Sequence, residues 1–147
     1  MPAVNGPDHL AYLLHRATQR LRAEAEAAAP PGFERLQAAQ ARLLDLIPAG
    51  GARVTDLARL MGVSKQALGQ LVAHLAASGH VRIGPDSADA RARVVHRTRA
   101  GDDLREAMRA AIAGVEQRWS DEVGRQRLSV VREVLAEIVR SDPSPRR

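Results

Sequence analysis

Apolar residues return every three or four positions over several stretches of this chain, and only one short region breaks that rhythm. Leu10, Leu13, Leu14, Ala17 and Leu21 fall on one stripe with arginines 16, 20 and 22 outside it, which predicts an amphipathic helix. Asp8 is placed to cap it, and "APPG" at 29–32 ends it. A second helix is expected over 34–47 on Leu36, Ala39, Leu43, Leu44 and Ile47, with "PAGG" as its stop. Two short helices follow. Thr55 is the expected cap of one that presents Val54, Leu57, Ala58 and Met61; Gly62 turns the chain, and Ser64 caps another that presents Leu68, Leu71, Val72 and Leu75 before Gly79. Two helices joined by a tight glycine turn make a helix-turn-helix.

Then the period changes. "HVRI" (80–83) and "RVVHR" (93–97) are rich in β-branched residues and flank a loop of turn formers, so they read as a hairpin. From Arg99 the helical period resumes, first with Leu104, Met108, Ala111, Ile112, Val115 and Trp119, then with Leu128, Val131, Leu135, Ile138 and Val139. The tail "SDPSPRR" reads as disordered. The fold class expected is mainly α with a small β-hairpin wing.

Composition changes this picture in three ways. Tyr12, Phe33 and Trp119 are the whole aromatic set, so the core must come from aliphatic side chains. A net charge of +5 attracts polyanions, although arginine-rich composition by itself says little about which. The absence of cysteine excludes disulfides, thiolate zinc sites and thiol redox switches. No apolar run approaches a membrane span and the N-terminal stretch does not resemble a signal peptide, so a cytoplasmic protein is expected.

If the leucines of the second short helix face inward, Lys65, Gln66, Gly69, Gln70 and His74 face outward. Glutamine pairs with an adenine edge, lysine reaches guanine acceptors or phosphate, and a serine-capped helix start such as that at Ser64 offers free N–H groups to phosphate. Lys65 is the only lysine of the chain. Gly69 costs a helix interior about 0.8–1 kcal/mol relative to alanine, and either a groove wall or a neighbouring helix would account for it. Arg91 and Arg93, at the end of the hairpin loop, have the chemistry to enter a narrow minor groove, although a solvated turn would look the same.

The stretches "VTDLARLMGVSKQALGQLVAHLAASGHV", "DSADARARVVHRT" and "RAG" together resemble the winged helix-turn-helix of MarR-type transcriptional regulators. The wing pattern, Asp-x-Arg followed by a strand, Thr and then Gly, is matched by Asp89, Arg91, Thr98 and Gly101. The resemblance implies a homodimer with interleaved N- and C-terminal helices, recognition helices in successive major grooves of double-stranded DNA, and wing arginines in flanking minor grooves. It carries Arg91 over as the minor-groove residue and Asp89 as its orienting partner. It also implies a small-molecule effector, for which Tyr12, His15 and Trp119 are the candidate lining groups. Where the family usually has Leu before the Thr, this chain has Arg97, a departure that bears on how the strand end packs.

The expected organisation is an N-terminal dimerisation helix and linker over 1–33, a winged domain over 34–100, C-terminal dimerisation helices over 101–141, and a tail over 142–147. Surplus apolar stripes at both ends support the dimer independently. A twofold dimer implies a pseudo-palindromic operator with half-sites about 10 base pairs apart. Histidines 9, 15, 74, 80 and 96 lack metal-site spacing; at best His80 and His96 face each other across the hairpin. No nucleophile elbow or nucleotide loop occurs, so neither an enzyme nor a cofactor is expected. The reading is a sequence-specific DNA-binding regulator, a repressor by expectation. Its rivals are a winged-helix protein-interaction module and a non-specific architectural DNA binder.

Overall fold

The computed structural model describes residues 9–29, 36–89 and 91–141. Helices α1 (Leu10–Ala28) and α2 (Ala38–Leu46) lead into strand β1 (Ala52–Arg53), helices α3 (Val54–Met61) and α4 (Lys65–Ala77), strands β2 (Val81–Pro85) and β3 (Arg93–Arg97), and helices α5 (Arg99–Val123) and α6 (Arg125–Arg140). The sheet is antiparallel, in the order β1-β3-β2. Asp8, Phe33, Glu34 and the tail over 142–147 lie outside the described residues. The chain divides into two compact units: Glu26–Ala110, and the stretches through Ala25 and from Ala111 onward. The boundary expected at 100/101 falls in the first turn of the continuous helix α5.

Leu43, Leu44, Leu57, Leu68 and Val95 are wholly buried in one apolar cluster of the Glu26–Ala110 unit, joined by Ile47, Val72, Leu75 and Met108. Each such side chain contributes about 1.5–3 kcal/mol by leaving water. The helix-turn-helix is set by its turn. Gly62 adopts φ 68, a left-handed conformation that costs other residues a clash, and its N–H closes α3 on the Ala58 and Arg59 carbonyls. Ser64 then caps α4, its Oγ accepting the Ala67 N–H at 3.1 Å.

Several local expectations differ from the structure. Thr55 does not cap α3; Arg53 holds that position, because Ala52–Arg53 pairs with Val95 and Val94 as a strand and the chain enters the helix directly from it. In α2 it is Gln40, not Ala39, that is buried, and its polar end is satisfied by accepting the Gln37 N–H at 2.9 Å. Leu71 is only half-buried. His80 does not face His96: the register pairs His96 with Arg82, while the Nδ1 of His80 lies 2.8 Å from the Ser78 hydroxyl.

The hairpin is fastened at Thr98, which bonds on both sides of it. Thr98 Oγ1 donates to the Gly79 carbonyl at 2.6 Å and accepts the Gly101 N–H at 3.1 Å, linking the end of α4 to the start of α5. Gly101 approaches so closely that a Cβ there would sit 2.0 Å from the His80 carbonyl oxygen. Arg97 is nearly buried, at 9% side-chain exposure, and its Nε donates to Asp102 in the first turn of α5. Its Nη1 is buried without a hydrogen-bond partner. The strand end is thus held by an ion pair.

Candidate nucleic-acid interface

Helix α4 has two chemically distinct sides. Leu68, Val72 and Leu75 are buried, while Ser64, Lys65, Gln66, Gly69, Gln70 and His74 are exposed. Among the described residues, the side chains of Lys65, Gln66 and Gln70 have no protein partner, and no carboxylate stands on this side of the helix. His74 is engaged through Nδ1, which lies 2.8 Å from the Gln70 carbonyl; in the tautomer that donates there, Nε2 is left as the free ring nitrogen. At the helix start the unpaired backbone N–H groups and the dipole favour an anion.

For Gly69 the sequence leaves two explanations open, a groove wall or a neighbouring helix. Among the described residues a Cβ built at Gly69 meets nothing within 4 Å, so no described helix requires the missing side chain. The helix bears a cost of about 0.8–1 kcal/mol that packing within the chain does not explain.

In the wing, the Asp86 N–H donates to the Ala92 carbonyl at 3.1 Å and closes the loop. Asp89 is coupled to Arg91, though not by an ion pair: its Oδ1 accepts the Arg91 backbone N–H at 3.0 Å. That bond shapes the turn and leaves both guanidinium groups, of Arg91 and Arg93, exposed and without a carboxylate among the described residues. The Asp86 carboxyl is held below the ordinary carboxylate range, first by the Ala88 N–H and then by Arg53. Neither Arg53 nor Asp86 stood out in the sequence; they lie 33 positions apart and no local period joins them.

The candidate effector residues belong to the other unit and are not brought to one place. Trp119 borders a cavity of about 290 Å³ with Leu14, Thr18, Leu21, Leu128 and Leu135. Tyr12 and His15 do not line it; Tyr12 packs edge-on against His9, with ring centroids 6.2 Å apart, and His15 is exposed. The Trp119 indole N–H donates to Glu24 at 3.2 Å and Arg20 stacks 5.2 Å from its ring centroid. No cluster of potential metal ligands occurs among the described residues, and no described helix is long and apolar enough to cross a membrane.

Residues 36–92, from the second helix through the wing loop, match the profile of the MarR family. Over this stretch the chain is similar to the MarR family, and its fold is a mainly α winged helix-turn-helix. Among curated proteins, the transcriptional activatory protein BadR of Rhodopseudomonas palustris is 43% identical over 53 residues, which are 36% of this chain and 30% of that protein. The match therefore spans less than a third of that relative's length. Among solved structures, CouR of Rhodococcus jostii RHA1 bound to p-coumaroyl-CoA aligns with a TM-score of 0.69 at 22% identity, covering 89% of this chain and 92% of that one. PcaV of Streptomyces coelicolor, in complex with its natural ligand, aligns at 0.71 and 17% identity, over 97% and 100% of the two chains. At these identities the structural likeness speaks for the fold alone.

Proposed function

We propose that this chain is a homodimeric, sequence-specific DNA-binding transcription regulator of the cytoplasm. The reading rests on the outer side of α4: a solvent-open row of donors without partners or carboxylates, with a helix-interior glycine that nothing in the protein requires. Lys65, Gln66, Gln70 and His74 meet base edges or phosphates, Ser64 and the helix start meet a phosphate, and Gly69 lets the backbone approach the groove wall. Arg91 and Arg93 enter the flanking minor groove, with Asp89 shaping their turn.

The second copy is supported by the helical ends. Leu10, Leu13 and Leu14 of α1 and Val130, Val131, Val134, Ile138 and Val139 of α6 are all exposed in the single chain, more apolar surface than a monomer leaves in water. A twofold dimer reads a pseudo-palindrome, and repression or activation follows from where that site stands relative to a promoter. The effector reading is secondary. It is favoured by the apolar cavity beside Trp119, whose volume suits a small aromatic or acyl group, and by the ligands carried in the CouR and PcaV structures.

The test is selection of bound fragments from random duplex DNA, followed by Gly69→Ala. One enriched palindrome supports regulation; salt-sensitive binding without enrichment supports an architectural role, and no binding supports a protein-interaction module. Gly69→Ala should raise folding stability by about 0.8–1 kcal/mol and weaken binding to the selected duplex about tenfold. Opposite signs from one methyl group mark a groove contact. A variant that is more stable and binds equally well would remove Gly69 from the interface.

A further inference from the structure

The three strands of the wing sheet leave β1 and β2 on opposite sides of β3, with Arg53 paired to Val94 and Gly84 paired to the same residue from the other side. Neighbouring strands stand about 4.8 Å apart, so the two outer strands are separated by about 10 Å, a span for a long side chain. Arg53 makes that span. Its Nε donates to Asp86 Oδ2 at 2.6 Å, reaching from the last residue of β1 to the first residue after β2. The carboxylate is only 13% exposed and is also tied on its other oxygen, which accepts the Ala88 N–H at 2.8 Å. Asp86 further closes the loop through its own N–H to Ala92, next to Arg91 and Arg93.

The wing loop is therefore fixed from within at Asp86 and Asp89, and fixed to the rest of the sheet at its base by Arg53. Arg53 is at the same time the residue that opens α3, the first helix of the helix-turn-helix. One side chain thus joins the element carrying the minor-groove arginines to the element that supports the recognition helix. We propose that Arg53, clasped to Asp86, is a positioning residue that sets the wing arginines in register with the recognition helix; this rests on the DNA-binding reading above. The Arg53 guanidinium is further stabilised in its charged form by Asp86 first, then by the fields of Asp89 and Asp56.

Charge alone makes the opposite prediction, and this makes the proposal testable. Removing a carboxylate near a polyanion should tighten binding. In Asp86→Asn the amide oxygen still accepts the Ala88 N–H, yet the ionic clasp is lost. Binding of the full-length dimer to its selected duplex is measured by titration, and contacts are read by hydroxyl-radical footprinting. Asp86→Asn and Arg53→Ala should each weaken binding about fivefold to tenfold. Each should also lose protection of the flanking minor groove while the central half-sites stay protected, and Arg53→Lys should restore part of it. Amide hydrogen exchange at Ala88, Arg91 and Ala92 should quicken in the free variants with core amides unchanged.

Tighter binding by Asp86→Asn, or loss of affinity in Arg53→Ala with the flanking footprint intact, overturns the clasp and assigns Arg53 a direct phosphate contact. Unchanged exchange in the wing overturns it as well. If the wild-type chain selects no duplex, the DNA-binding reading itself fails, an outcome read separately from every variant.

Discussion

The two compact units of this chain are built from similar residues and reach different ends. In Glu26–Ala110, helices and a small sheet bury Leu43, Leu44, Leu57, Leu68 and Val95 completely, and the apolar periods of the sequence are consumed inside one unit. In the helical ends, α6 has no fully buried residue at all, and Val131, Ile138 and Val139 stand 52%, 55% and 73% exposed. Equal periodicity has therefore produced a finished core in one place and an open apolar face in the other. An unsatisfied stripe on a regular helix is the signature of a surface completed by association.

The widest separation of the two units should come from Val131→Asp with Ile138→Asp. Both sites are solvent-exposed in the single chain, so the winged unit should keep its stability while the proposed dimer is lost. Coupling of two half-site contacts typically contributes about a hundredfold or more to affinity, and operator binding should fall by that order. Sedimentation velocity gives the oligomeric state and titration the affinity. A variant that remains dimeric would place the second copy elsewhere.

Gly101→Ala attacks the finished core instead. Its new Cβ would lie 2.0 Å from the His80 carbonyl oxygen, a backbone atom fixed between α4 and β2. The end of α4 and the start of α5 must separate to relieve the clash. A loss of about 2–4 kcal/mol is expected in denaturant melts, in the range of the larger single-residue effects. Dimerisation should be unchanged under conditions where the chain remains folded. A wild-type midpoint would mean that the backbone yields easily here.

How legible this was in sequence follows the same division. Where a contact is local or periodic, it could be read: the Gly62 turn, the Ser64 cap, the inward leucines of α4 and the hairpin strands are all set by near neighbours. Where it depends on residues far apart, it was hidden. The two-residue strand β1 is defined only by its pairing with Val94 and Val95, so Thr55 looked like a better helix cap than Arg53. The Arg53–Asp86 clasp and the Thr98 bond to the Gly79 carbonyl join positions 33 and 19 apart. For Gly69 the sequence posed the question, and an empty neighbourhood removes packing within the described residues as its answer.

A smaller effect is expected where the chain departs from the pattern of the family it resembles. Arg97 leaves one guanidinium nitrogen buried without a partner, and its ion pair uses a half-exposed Asp102. Replacing such an arrangement by a well-packed apolar side chain is often neutral or stabilising, whereas removing one partner strands a charge. Arg97→Leu should hold or raise stability, and Asp102→Ala should lower it by about 1 kcal/mol. Thermal melts of the two variants check the order. If Arg97→Leu is the more damaging, the guanidinium has a role beyond the ion pair.

The smallest effect belongs to the helical ends. The Glu24 carboxyl is held below its ordinary range, first by the Trp119 indole N–H and next by Arg20. A carboxyl whose folded pKa is depressed contributes stability above its unfolded value, and that contribution is lost as pH falls through the lower folded value. Because Trp119 is the only tryptophan of the chain, its fluorescence reports this site alone. Emission should stay constant on acidification to about pH 4.3, the usual glutamate value, and change only below it. In Glu24→Gln the amide still accepts the indole N–H, so the bond survives and the acid step should disappear. A step that persists in Glu24→Gln would belong to unfolding of the winged unit or the dimer, and Glu24 would have no part in how the helical ends respond to acid.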